Sequence, residues 1–118
     1  MCHQIKLLNQ TKNGSILHCD SCKLYHLIFG HFHLEFSRSE LKNFMLFLKN
    51  INVPYWEYRY QSKLIKRKIP IPTLQKNLSL VLNQKELDEI KNLLFGISNL
   101  KNINYVNSED IDYDFISN

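Results

Sequence analysis

Glycine is scarce in this chain: there are three among 118 residues, at positions 14, 30 and 96. So few leave no room for a Gly-rich phosphate cradle, and neither a Gly-x-Ser-x-Gly elbow nor a His-Glu-x-x-His pair occurs. The sequence therefore leans away from an enzyme. No apolar run approaches the ~20 residues that span a bilayer. Met1-Cys2-His3-Gln4-Ile5-Lys6 lacks the basic segment, apolar stretch and small-residue cleavage site of a secretory signal. The expectation is a cytoplasmic protein. Hydrophobic residues still make up 44% of the chain and aromatics 12%, enough for a folded core and too much for intrinsic disorder.

Basic residues are missing from the C-terminal end. Beyond residue 107 there is no Lys or Arg, and Glu109, Asp110, Asp112 and Asp114 occur. Four of the 11 acidic residues thus lie in this tail, so residues 1–107 carry a formal net charge of +8 against +4 for the whole chain. Residues 1–107 read as one domain with a Cys-rich N-terminal hairpin, and residues 108–118 as an acidic, flexible tail. A basic body suits nucleic acid, an acidic partner or a membrane surface, although Lys- and Asn-rich surfaces are also common without any of these.

Two short apolar runs, Ile5 to Leu8 and Ser15 to His18, flank Asn13-Gly14, a hairpin signal that relies on φ > 0. Leu24 to Phe29 predicts a buried strand, Gly30 a turn, and His31 to Phe36 a strand that alternates. Phe32, Leu34 and Phe36 share one face, and His31, His33 and Glu35 share the other. Ser37 with Glu40 predicts a capping box, followed by a helix carrying Leu41, Phe44, Met45, Leu48 and Ile51, which Pro54 ends. Ile69-Pro70-Ile71-Pro72 reads as an edge strand or an extended polyproline stretch. Leu78 to Leu82 follows as a strand, and Asn83 with Glu86 caps a helix bearing Leu87, Ile90, Leu93 and Leu94. Strand, cap and helix thus recur at an offset of 46, Leu34–Leu41 against Leu80–Leu87. The fold class is α+β: an antiparallel sheet of hairpins with two helices packed on one face. Duplication of a ββα unit is one origin for the echo; the general look of strand-cap-helix units is the other.

All three cysteines fall within the first 22 residues. An odd count in a reducing compartment argues against a disulfide framework and for a local site. Cys19-Asp20-Ser21-Cys22 lets two thiolates converge on one tetrahedral ion, which makes zinc the expected cofactor. Cys2 is the third candidate ligand and His26 the fourth, with His3 and His18 as alternatives. In an extended strand His26 would stand about 13 Å from Cys22, so it qualifies only if the chain between them curls. The competing uses are weaker. A thioredoxin-like pair needs a helix where Lys23 to Phe29 reads as strand, and an iron–sulfur cluster needs a fourth ligand. Buried small hydrophobes remain the bland reading of the cysteines, as surface residues do for His31 and His33. A catalytic zinc would need a carboxylate base, for which Asp20 and Glu35 are the near candidates.

With Met1-Cys2, Cys19-x-x-Cys22, Leu27-x-Phe29-Gly30 and Phe36-Ser37-x-x-Glu40-Leu41 in place, the chain resembles an uncharacterised family of short bacterial proteins. The resemblance covers roughly the first 50 residues best, and it implies a compact domain with the cysteines as a site. Elsewhere, Arg59, Lys63, Lys66, Arg67, Lys68 and Lys76 beside Trp56, Tyr58 and Tyr60 offer phosphate-neutralising and base-stacking groups. The leading expectation is a non-enzymatic binding or adaptor module stabilised by zinc, docking on a protein or ribonucleoprotein partner. Nucleic-acid binding through residues 55–76 comes second, and a cysteine-based metal or redox sensor third.

Overall fold

In the computed structural model, which describes residues 4–62 and 64–97, local signals set most element boundaries. The strands are β1 (Ile5–Gln10), β2 (Gly14–Cys19), β3 (Leu24–Phe29), β4 (Phe32–Phe36), β5 (Ile69–Pro72) and β6 (Ser79–Leu82). The helices are α1 (Arg38–Asn50), α2 (Val53–Arg59) and α3 (Gln84–Phe95). Both predicted capping boxes form. The Ser37 hydroxyl accepts from the Glu40 N–H at 3.2 Å, and the Asn83 side chain accepts from the Glu86 N–H at 2.8 Å. Each glutamate returns the contact to the cap's own N–H, so two otherwise unpaired donors are satisfied at each helix start.

The fold is α+β, with antiparallel hairpins as expected. The first two hairpins make a four-stranded sheet in the order β1-β2-β3-β4, while β5 and β6 pair separately as a two-stranded sheet. Among the described residues no strand ladder joins the β5–β6 hairpin to the large sheet; side chains do. Ile69, Ile71 and Leu82 enter the same core as Ile16, Leu27, Phe36, Leu41, Met45, Leu87, Ile90 and Leu93. Helices α1 and α3 both lie on the face of the large sheet that carries Ile16, Tyr25, Leu27 and Phe29.

Two readings of the sequence are corrected. Pro54 does not stop α1, which ends at Asn50; it opens α2, capped by the Asn52 side chain accepting from the Tyr55 N–H at 3.1 Å. Proline suits that position because the first-turn N–H has no intrahelical partner to lose. Gly14 is not the left-handed turn residue; the described residues with that conformation are Lys23 (φ 61°) and Gly30 (φ 58°). Gly14 is needed for space instead. A Cβ there would stand 2.7 Å from Phe29 Cδ1 and 2.9 Å from the Ile28 carbonyl oxygen.

A bulge between Leu7 and Asn9 shifts the β1–β2 register. It turns Leu8 towards the core and lets Asn9 donate to the Leu93 carbonyl at 2.9 Å, satisfying an acceptor at the end of α3. One turn away, the Glu89 carboxylate accepts from the Thr11 hydroxyl (2.7 Å), the Asn13 N–H (2.8 Å) and the Asn13 side-chain amide (2.8 Å), tying the β1–β2 turn to α3. Those bonds hold Glu89 below the ordinary 4.5, the Thr11 hydroxyl first among them. A depressed carboxylate stabilises the fold above its unfolded pKa, and that contribution is lost as pH falls through the lower folded value. The urea midpoint is therefore expected to hold from neutral pH to about 5 and to fall below about 4.5. Glu89→Gln should lower stability at neutral pH by about 1 kcal/mol and make the acid decline shallower.

Candidate metal centre

The register of the large sheet decides which chemistry-bearing side chains meet. Residues directly opposite in an antiparallel pair share a face. Cys19 stands opposite Ile5 and Leu24, Leu17 opposite Leu7 and His26, His26 opposite Glu35, and Ile28 opposite His33. All of these belong to the face turned away from α1 and α3. His18 belongs to the other face, opposite Tyr25, against whose ring it rests at a centroid distance of 4.4 Å.

Cys19 is 0% exposed. The chain folds over its sulfur: Lys23, in the left-handed conformation, donates its N–H to the Cys19 carbonyl at 2.8 Å, and the Asp20 N–H reaches the Gln4 carbonyl at 3.3 Å. The Cys22 N–H donates to Cys19 Sγ at 3.4 Å, and the Ser21 hydroxyl lies 3.2 Å from it. Burial pushes this thiol up, but hydrogen bonds from the Ser21 hydroxyl and from the backbone N–H groups of Cys22, Ser21 and Gln4 outweigh it. The net shift is downwards. Donors converging on a sulfur favour the thiolate, the form that ligates metal. Cys22 is exposed and disulfide-bonded, against the expectation from the odd cysteine count, so only the reduced chain would offer it to an ion. Cys2 and His3 lie outside the described residues.

The histidines separate. His18 Nδ1 pairs with Asp20 Oδ1 at 3.1 Å, and burial, partly offset by Asp20, holds it below the ordinary 6.5. Its ring is on the face opposite Cys19. His26 is on the same face as Cys19, yet its Nδ1 is 3.0 Å from His33 Nε2 and 3.7 Å from Glu35 Oε2. Its other nitrogen, Nε2, is buried with no hydrogen-bond partner among the described residues. Among those residues, the ligand atoms that converge are those of His26, His33 and Glu35, all within 4.8 Å of one another. The residues between Cys22 and His26 curl only at Lys23 and then run straight into β3. His26 is thereby delivered to β4 rather than to the cysteine turn.

Spacing from the cysteines missed His33 and Glu35, but hairpin arithmetic finds them. A two-residue turn at Gly30-His31 puts Phe29 opposite Phe32, and counting back puts His26 opposite Glu35.

The basic–aromatic segment is dispersed. Arg67 forms a forked ion pair with Glu86, with bonds of 2.8–3.0 Å. Arg59 lies over the Tyr60 ring at 5.7 Å, and Trp56 packs against the core between Tyr55 and Tyr60. Tyr58 and Lys66 are exposed, Lys68 is half-buried, and Lys63 falls outside the described residues. An apolar groove of about 460 Å³ runs between α1, β4 and the β5–β6 turn, lined by Phe44, Phe47, Leu74 and Leu78 among others. It touches the histidine cluster only at Glu35.

A family model matches residues 1–118. The chain belongs to the family of unknown function DUF6686. No curated protein and no solved structure matches it. Among the described residues no helix is long and apolar enough to cross a membrane.

Proposed function

We propose that this chain is a non-enzymatic binding module whose N-terminal hairpin is clasped by a structural zinc ion. Cys19, Cys22 and Cys2 supply thiolates, a histidine (His26 or His3) completes the site, and the module docks on a protein or ribonucleoprotein partner. The observation that carries the reading is the sulfur of Cys19, fully buried yet ringed by hydrogen-bond donors. A nucleophile must be reachable by its substrate, whereas a structural ligand need only be reachable by the ion during folding. Lowering a thiol that no substrate can approach makes sense for ligation. Engagement of Arg67 with Glu86 and of Trp56 with the core favours a protein surface over bare nucleic acid as the partner.

The test is the metal content of protein purified under reducing conditions without added metal. One equivalent of zinc per chain that is lost in Cys19→Ser supports the proposal; protein that is folded, reduced and free of zinc and other metals retires it. RNA binding that weakens steeply with salt and disappears on neutralising Lys66 and Lys68 would instead favour the nucleic-acid role.

A further inference from the structure

We propose a second metal site, distinct from the cysteine clasp, in which His26, His33 and Glu35 hold an exchangeable divalent transition-metal ion on the open face of the sheet. Two imidazoles and one carboxylate suit zinc, cobalt, nickel or copper better than calcium or magnesium, which prefer all-oxygen shells. The geometry is close to what an ion requires. Ligand atoms about 2.1 Å from a shared metal stand about 3.0–3.4 Å from each other. The His26 nitrogen already lies 3.0 Å from His33 Nε2 and 3.7 Å from Glu35 Oε2. The set is also held in place from below. His26 is 9% exposed and fixed in the central strand β3, while His33 and Glu35 rise from the neighbouring strand β4 and are exposed.

One buried ligand and two exposed ones make a site that is anchored yet open to solvent. Water or a partner's side chain would complete the coordination, so the ion exchanges readily, unlike one shut under the cysteine turn. With Nδ1 on this ion, His26 is not the fourth ligand of the thiolate centre.

The experiment is titration of the reduced, metal-free full-length chain with cobalt(II) alone, followed by absorption. Thiolate ligation gives an intense sulfur-to-cobalt charge-transfer band, and a nitrogen–oxygen set gives only weak ligand-field bands. Expected for the wild type is one ion with the thiolate band and a second without it. His33→Ala and Glu35→Gln change exposed side chains; each should keep a cooperative urea transition, weaken the second ion at least about tenfold and leave the thiolate band unchanged. The site is overturned if the second ion is missing from the wild type, if both variants bind it as tightly as before, or if His33→Ala abolishes the thiolate band. A second ion that titrates as described in a chain showing no thiolate band would overturn the clasp alone.

Discussion

Cys19→Ser is expected to take the reduced protein from one tightly held zinc to none, with the stability that zinc confers lost along with it. A ligand that binds only the folded chain stabilises it by about 4 kcal/mol when its free concentration is a thousandfold above its dissociation constant. The substitution also has an ordinary cost, because a serine hydroxyl would replace a sulfur at a fully buried position. The chelated wild type separates the two contributions. Chelation should bring the wild type down by clearly more than it brings down Cys19→Ser, as read from urea midpoints. If chelator leaves the reduced wild type unmoved, no ion is clasping the hairpin and Cys19 is a packing residue.

Leu27→Ala is expected to be the most damaging change that leaves the metal chemistry untouched. Leu27 is fully buried in the central strand β3, between Ile16 on β2 and Leu34 on β4, on the face beneath α1 and α3. Neighbours on several elements cannot all close the gap, so the loss combines transfer and cavity terms at about 2–5 kcal/mol. Against a total stability of about 5–15 kcal/mol for a domain, that is a large share. The urea midpoint should drop with an unchanged slope, and zinc content per folded chain should stay the same. A loss under about 1 kcal/mol would mean that this part of the sheet repacks and does not form one rigid core.

The two capping boxes were legible because a cap is a contact between residues three apart, written locally in Ser37 with Glu40 and Asn83 with Glu86. The alternation of β4 was legible for the same reason. Pro54 was misread because one local rule has two outcomes: proline both ends a helix and starts one, and the Asn52 cap decides between them. The separation of β5–β6 from the large sheet was hidden, since it depends on which edges meet after the core forms. At the candidate site, the turn at Cys19–Cys22 is local, but the burial of Cys19, the disulfide at Cys22 and the partners of His26 depend on contacts that spacing does not carry. Proximity in sequence drew attention to the cysteines, and cross-strand pairing supplied His33 and Glu35 instead.

Among the described residues strand β1 has one lateral partner, β2, and that ladder is interrupted by the bulge after Leu7. An edge strand with an interrupted ladder can open locally, well short of global unfolding. The beginning of β1 flanks Cys19 on the side away from the turn, through Ile5 opposite it and Gln4 bonded to Asp20. Opening of β1 would then be one route to the sulfur for an ion, a chelator or an oxidant, beside loosening of the Asp20–Lys23 turn. A partner that pins β1 would close that route and lengthen the lifetime of anything bound there without touching the site.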